Sequence, residues 1–321
     1  MEVLALIGLF IVLRALYKFV RNLYIYDLLP FFDIYRQTSR LDTYLRTKDG
    51  SLPWAFVTNA GDGIGRGFAE RLAAYGFNIV LHGAAPHEIA QLRTALERKY
   101  PSRQYRTLIV HPAFFRDSIY VSLSDIQREF SDLSLKVFVN NAGWLSTDNM
   151  STAGAIENYS DRELANAINR WTVFPTLLTS LLAPRLAECA PSLVLNVEAA
   201  EDLSAPMIPV YAPCKAYLET LTMELALEMK ALGRNVEVFG LRVGQIAGVG
   251  RARPGAKKSR WFQPSVNTFV EAALGRVGCG ERLMAPYCWY AFMAWWPKLL
   301  PNVVMDALRV KTLEDQYGRC K

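Results

Sequence analysis

Short apolar runs rich in β-branched and aromatic residues recur along the chain, and each is followed by a stretch with helical periodicity. "WAFVT" (54–58) leads into "GIGRGFAERLAAYG", "NIVLH" (78–82) into "HEIAQLRTALERKY", and "LKVFVNNAG" (135–143) into another helical stretch. "PSLVLNV" (191–197), the helix "KAYLETLTMELALEMKALG" and "NVEVFGLRV" (235–243) continue the alternation. Strands that are apolar on both faces and joined by helices predict a parallel sheet covered on both sides. The expected architecture is α/β, a doubly wound parallel sheet in one domain spanning about 52–280. No internal repeat or low-complexity linker divides it.

The two ends depart from this pattern. The N-terminus opens "MEVLALIGLFIVLRALYKFVRNLYIY", with an uncharged run from Val3 to Leu13 that is short for a full membrane span. Arg14, Lys18 and Arg21 fall at i, i+4 and i+7 and make one basic stripe on a continuing helix. Residues 1–25 are therefore expected to form a membrane anchor helix, with the basic flank leaving the rest of the protein on the cytosolic side. A core helix is the alternative reading. Glu2 stands where a signal peptide carries basic residues, and no small-residue cleavage site follows, so a removable signal is not expected. Residues 26–51 read as a linker. Residues 281–321 read as a membrane- or substrate-associated helical extension, in which Trp289, Tyr290, Trp295 and Trp296 suit a lipid interface.

Composition changes this picture little. The chain has 321 residues, 51% hydrophobic and 21% charged, enough for one large core. The five cysteines, Cys189, Cys214, Cys279, Cys288 and Cys320, form no CxxC pair and are odd in number, which argues against a disulfide framework or a zinc site. A reducing compartment is the simpler setting. His82, His87 and His111 lack metal-ligand spacing and are read as structural or exposed. The net charge of +6 is spread along the chain. Its densest basic run, "RARPGAKKSR" at 251–260, has only Trp261 and Phe262 beside it, so a solvated loop or phosphate-facing patch is expected, not a nucleic-acid surface.

Two stretches carry chemistry. "TNAGDGIG" (58–65) follows the first strand and opens a helix; Gly61, Gly63 and Gly65 permit a tight turn and close approach of a pyrophosphate to the helix N-terminus. "YAPCK" (211–215) places Tyr211 and Lys215 four apart, on one helix face. An ammonium beside a phenol favours the phenolate and lowers the tyrosine pKa toward a range useful for proton exchange.

The set "TNAGDGIG", "VFVNNAG" and "YAPCK", in this order and spacing, resembles the short-chain dehydrogenase/reductase family over residues 52 to about 280, whose fold is Rossmann-like. The ends and "QPSVNTFVEAALGRVG" (263–278) look like the membrane-bound branch containing 17β-hydroxysteroid dehydrogenases and microsomal very-long-chain 3-ketoacyl-CoA reductases. The resemblance implies that Tyr211 donates a proton to a substrate carbonyl and that Lys215 tunes it and holds the nicotinamide ribose. It implies cofactor contacts at Thr58, Asn59, Gly61, Asp62, Gly63, Ile64 and Gly65, at Asn140, Asn141, Ala142 and Gly143, and at Gly244 and Ile246. Hydride would come from NAD(P)H, since no side chain can supply one.

The departures from the family pattern are specific. Thirteen residues before Tyr211, where the family places a catalytic serine, stands Glu198, with Ala199 next and Ser204 six beyond. The family's helix asparagine position, counted from Pro184, holds Trp171, with Asn169 two residues early. Asn59 replaces the first glycine of the turn, tolerable because Asn accepts a left-handed backbone. His111 stands in place of an aspartate, Val243 in place of proline before Gly244, and Gly248 in place of threonine. After the second strand come Gly83 and Ala84, with no carboxylate for a ribose 2′-hydroxyl and with Arg66 just inside the helix, which favours NADP(H) and leaves NAD(H) open.

The leading expectation is a membrane-associated NADP(H)-dependent ketone reductase or alcohol dehydrogenase acting on a lipophilic steroid, fatty acyl or polyketide substrate in lipid or secondary metabolism. Its expected place is the endoplasmic reticulum membrane, with a homodimer left open. The alternative is a degenerate or repurposed protein without net redox activity: a scaffold, or an isomerase or cyclase in which Glu198, its pKa raised against Trp171, serves as acid or base.

Overall fold

A computed structural model describes residues 2–25, 40–47, 50–110, 126–141, 155–199, 210–249, 263–287, 289–290 and 301–317. In chain order the elements are α1 (Glu2–Ile25), β1 (Pro53–Val57), α2 (Gly63–Tyr75), β2 (Asn78–Gly83), α3 (Pro86–Lys99), β3 (Tyr105–Ile109) and β4 (Ser134–Asn140). They continue with α4 (Asp161–Ile168), a π-helical turn (Asn169–Val173), α5 (Phe174–Glu188), β5 (Ser192–Ala199), α6 (Tyr211–Ala231), β6 (Val236–Val243), α7 (Val266–Gly275), β7 (Leu283–Met284) and α8 (Asn302–Tyr317).

The seven strands form one parallel sheet in the order β3-β2-β1-β4-β5-β6-β7. This is the doubly wound, Rossmann-like architecture that the alternation predicts. The chain runs outward from β1 to one edge, returns to β4 and runs to the other edge. The C-terminal ends of β1 and β4 therefore border a topological switch point, where such sheets bind ligands. β7 carries the sheet past residue 280.

Alternate residues of each strand feed two cores. Ala55, Val57, Val137, Val139, Leu193 and Leu195 pack with Phe68 and Leu72 of α2, Ile89 and Leu92 of α3, and Phe269 of α7. Phe56, Val80, Phe138 and Val194 pack on the other face with Leu178 and Leu182 of α5 and with Leu225 and Met229 of α6. A register shift between Trp54 and Ala55 in the β1–β4 ladder accommodates the odd spacing of β4.

Local signals set the helix ends. Asp62 caps α2 by accepting from the Gly63 N–H, and Gly76 closes that helix at φ 124°. Ser160 and Glu163 form a capping box on α4. Pro86 starts α3 with Glu88 in its first turn and Arg98 and Lys99 in its last.

The N-terminal region behaves differently. Leu6, Phe10, Leu13 and Tyr17 of α1 are all more than half exposed, as are Val303 and Val310 of α8. Arg21 ties α1 to Glu281 at 2.9 Å. Among the described residues, no helix is long and apolar enough to cross a membrane. Tyr290, expected at a lipid interface, is 7% exposed and packs into the first core, because its ring lies over Gly244. Trp295 and Trp296 lie outside the described residues.

Phe138 is fully buried, stacked on Phe56 with ring centroids 5.4 Å apart, and Phe56 meets Phe130 edge-on at 4.8 Å. Phe138→Ala should lower the unfolding free energy by about 3–5 kcal/mol, measured as a drop in the urea midpoint at constant slope.

Candidate active site

The turn after β1 is held from several sides. Asn59 takes φ 49°, the left-handed conformation expected of it. Its N–H donates to His82 Nδ1 at 3.2 Å, and the Ala60 N–H donates to the His82 carbonyl at 2.7 Å. Burial pushes the His82 pKa down to about 4, so the ring stays neutral and can accept at Nδ1. His82 is thus a buried part of the turn's support, a role that spacing alone does not reveal.

The Thr58 side chain accepts from the Asn141 N–H at 2.8 Å and reaches the Val139 carbonyl at 3.3 Å. Asn141 Nδ2 lies 3.4 Å from both the Thr58 and Asn59 carbonyls. The ends of β1 and β4 are clamped together beneath the turn. A Cβ on Gly65 would lie 2.0 Å from the Asn59 carbonyl oxygen and 2.8 Å from Asn141 Nδ2, so only glycine fits there. Gly63 has φ 54°, and Ile64 is buried in the first core. Asn140 is buried, and neither polar atom of its side chain has a hydrogen-bond partner. Ala142, Gly143, His111 and Ser204 lie outside the described residues.

Two charged side chains bear on this turn. A Cβ on Gly61 would sit 2.9 Å from the Glu88 Oε2, so a carboxylate from α3 stands over the glycine turn. Arg66, the cation expected to face a phosphate, is paired with Glu70 at 2.9 Å. The Glu88 contact depends on how α3 packs against the turn, while the Arg66–Glu70 pair is an i,i+4 contact within α2. Beyond β6, Tyr290 covers Gly244, where a Cβ would meet its ring at 2.6 Å, and donates to the Gln245 carbonyl. Ile246 is buried, and Val249 approaches the Cβ position of Gly63 to 3.2 Å.

Tyr211 and Lys215 open α6 as expected. Lys215 is 8% exposed; its Nζ donates to the Val197 carbonyl at 3.1 Å and lies 5.9 Å from the Tyr211 ring centroid. Burial pushes the Tyr211 phenol up to about 12 and the Lys215 ammonium down to about 8. Desolvation sets the direction for the tyrosine, opposite to the lowering expected from the ammonium.

The π-helical turn between α4 and α5 places Trp171 against this pair. A π turn inside a helix often marks a functional position. Trp171 is 1% exposed and meets the Tyr211 ring edge-on at 5.2 Å and 87°. With Ala167, Cys214 and Val210 it walls the tyrosine in apolar surface.

Glu198 takes a different setting from the expected one beside Trp171. It lies on β5 with the parity of Val194 and Asn196 and so faces α6, where Thr222 Oγ1 holds its Oε1 at 2.5 Å. Asn196 Nδ2 donates to the same hydroxyl at 2.7 Å. Thr222 is eleven residues beyond Tyr211, or about 16 Å along the helix axis. Burial raises the Glu198 carboxyl to about 7, against a lowering by the Thr222 hydrogen bond. Neither Thr222 nor Gly240, which makes room for the carboxyl, belongs to a sequence motif. Only the repeat of α6 at i+7 from Lys215 hinted that Thr222 shares the buried face.

A dinucleotide fits these residues at the turn: Gly61 and Gly63 leave the start of α2 without side chains, and Gly65 allows the backbone to close beneath it. Two carboxylates there oppose a phosphate: Glu88 over Gly61, and Asp62, which takes the Gly63 N–H at 2.6 Å.

Comparison with known proteins gives the same assignment. A family profile described as short chain dehydrogenase matches residues 53–254. A protein named very-long-chain 3-oxoacyl-CoA reductase from Pyricularia oryzae is 30% identical over 256 residues, covering 78% of this chain and 72% of its own. A protein of the same name from Aspergillus niger is 28% identical over 295 residues, covering 90% and 78%. Among solved structures, a bulky-bulky ketone specific alcohol dehydrogenase from Comamonas testosteroni has a TM-score of 0.60 at 21% identity, covering 84% of this chain and 97% of that one. A short-chain dehydrogenase from Sphingobium yanoikuyae in complex with NADPH has a TM-score of 0.61 at 21% identity, covering 82% and 96%. On the strength of the matched span, which takes in the glycine turn and the Tyr211–Lys215 helix, the chain belongs to the short-chain dehydrogenase family.

Proposed function

We propose that the protein is a membrane-associated, NADP(H)-dependent reductase that acts on the ketone of a lipophilic substrate, with a fatty 3-oxoacyl chain as the first class to test. The observation that carries the proposal is the Tyr211–Lys215 pair: one helical turn apart on α6, walled by Trp171, with Lys215 Nζ anchored on the strand carbonyl of Val197. The names of the relatives from Pyricularia oryzae and Aspergillus niger support the substrate class. The NADPH-bound relative from Sphingobium yanoikuyae supports the cofactor.

When bound, the nicotinamide nucleotide supplies the hydride. The residues of 58–65 would hold its phosphates, and Asn141, through its clamp on Thr58, fixes the turn that does so. Lys215 would reach the ribose. Tyr211 holds a proton at Oη and gives it to the forming alkoxide. Its pKa near 12 keeps that proton in place until a charge develops nearby, and the Lys215 ammonium then stabilises the phenolate left behind.

The N-terminal 25 residues serve in this reading as an anchor that lies at or enters the bilayer, with 52–280 as the cytosolic catalytic domain at the endoplasmic reticulum. The exposed apolar side chains of α1 and the basic Arg14 and Lys18 support it. A second reading, catalysis without net hydride transfer, is favoured by one observation, the presence of Glu198 and Trp171 where the family carries serine and asparagine. NADPH oxidation with a panel of 3-oxoacyl and steroid ketones separates the two: tight NADPH binding without oxidation would support the second.

Tyr211→Phe should preserve NADPH affinity and lower turnover ~10²-fold or more. Lys215→Ala should also weaken NADPH binding, seen by fluorescence titration. Full activity in Tyr211→Phe would remove the pair from catalysis.

Removing residues 1–25 should shift the protein at least partly from the membrane pellet to the supernatant of a high-speed spin. Full-length protein recovered in the supernatant without detergent would overturn the anchor.

Glu88→Gln should tighten NADPH more than NADH, because the carboxylate over Gly61 repels the extra phosphate. Equal changes for the two nucleotides, read as dissociation constants at fixed ionic strength, would place Glu88 away from the 2′-position.

A further inference from the structure

Glu198 has 1% of its surface exposed, and its Oε2 is buried with no hydrogen-bond partner. Its room is built: a Cβ on Gly240 of the neighbouring strand would lie 2.9 Å from Oε1. The other oxygen meets a hydroxyl whose neighbours can be counted. Thr222 Oγ1 lies 2.5 Å from Glu198 Oε1, 2.7 Å from Asn196 Nδ2 and 2.8 Å from the Leu218 carbonyl.

A hydroxyl donates one proton and accepts at two lone pairs. The Asn196 amide occupies one lone pair. If Thr222 donates to Leu218, its second lone pair faces Glu198 Oε1, and the hydrogen bond is complete when that oxygen carries a proton. If Glu198 is ionised, Thr222 must turn its proton away from Leu218, and Oε2 becomes a buried charged oxygen without a donor. An unpartnered neutral carbonyl costs far less than an unpartnered carboxylate oxygen. The neutral acid therefore satisfies the cluster and the ionised form does not.

The charged groups around it divide: Glu219 favours the neutral acid, whereas Lys215 and Arg242 favour the carboxylate, against a larger effect of burial. From α6 come Lys215 and Glu219, and from β6 comes Arg242, the register partner of Glu198. Arg242 and Glu219 form a two-point ion pair with each other. Lys215, whose Nζ is bonded to the carbonyl of the residue before Glu198, is the cation that responds to the state of the carboxyl; the Cys214 thiol is its other titratable neighbour.

We infer that Glu198 sits in the fold as a carboxylic acid whose proton faces Thr222 and whose ionisation governs the charge on Lys215, making it a positioning residue for the Tyr211–Lys215 pair. This rests on the reading of that pair as the proton-donating machinery. Near neutral pH the acid gives up its proton, consistent with burial holding it at about 7, and the resulting carboxylate raises the Lys215 ammonium against the burial that lowers it, the balance lying at about 8. Glu198 thereby keeps Lys215 charged into the alkaline range without touching the substrate.

The sign for stability is definite. A carboxyl held above its ordinary value of 4.5 stabilises the fold at acid pH, and that stability is lost as pH climbs from about 4.5 to about 7. Glu198→Gln reproduces the neutral acid, its amide donating to Thr222. The wild type should therefore lose melting temperature relative to Glu198→Gln between pH 5 and pH 7, and the gap should level off above. A double-mutant cycle of Glu198→Gln with Lys215→Met, read by denaturation, should show little coupling at pH 6 and favourable coupling at pH 8.5. In ketone reduction, the alkaline limb of kcat/KM should move down by about one pH unit in Glu198→Gln.

A stability gap that is flat with pH, or that favours the wild type as pH rises, means an ionised Glu198 and overturns the inference. So does a Glu198→Gln protein that fails to fold, because the amide supplies the same donor and acceptor. Coupling that is equal at the two pH values removes Lys215 from the argument and overturns it equally. If no protein of the set turns over any ketone, the reductase reading falls, while the stability gap and the double-mutant cycle still decide the state of Glu198.

Discussion

The Asn59 carbonyl passes so close beneath α2 that a Cβ at Gly65 would be 2.0 Å from its oxygen. That single approach sets the geometry on which the rest of the site depends. It forces the chain to leave β1 through a left-handed Asn59 and to start α2 at once, so the helix points its N-terminus over the ends of the central strands. The Thr58–Asn141 clamp and the His82 ring then hold the two neighbouring strands in register with the turn. A side chain larger than hydrogen at 65 would push α2 away from β1 and open the first core, where Phe68 and Leu72 pack on Val57 and Val139.

The second half of the site is organised by burial of charge and not by close packing of backbone. Lys215, Glu198 and Thr222 sit between α6 and the β5–β6 ladder, on the face opposite α2. Each ionisable group there is shifted toward its neutral form by desolvation. Such a cluster is costly when its hydrogen bonds are incomplete, and its groups change charge near physiological pH because the cost of ionisation nearly cancels the gain. The replacement of serine by glutamate 13 residues before Tyr211 thus adds a titratable group behind the lysine, where a hydroxyl would have added none.

Trp171 has a complementary effect. A polar side chain at the π turn would bring donors and acceptors toward Tyr211; the indole brings apolar surface, and with Cys214 it raises the phenol by keeping water out. The two departures from the family pattern act on different members of the pair: Trp171 on the tyrosine, Glu198 on the lysine.

The sequence by itself determined the order and type of the central elements, because strand runs apolar on both faces can be satisfied only inside a two-sided sheet. It also determined the glycine turn and the Tyr211–Lys215 spacing, since both are local: one depends on backbone freedom, the other on helix repeat. Boundaries drifted by up to three residues, and the two-residue β7 was invisible because so short a strand exists only through its pairing with β6. What only the tertiary structure decided was where side chains end up between elements distant in sequence. Spacing to Tyr211 put Glu198 in the catalytic row, but the parity of β5 turned its carboxyl toward Thr222, 24 residues away. Aromatic character likewise suggested a lipid surface for Tyr290, whereas the C-terminal segment folded it onto Gly244, and helix packing brought Glu88 to Gly61. The sign of the Tyr211 shift followed the same rule: a neighbouring charge can be read from i and i+4, but desolvation depends on everything that closes around the ring, and no local window contains it.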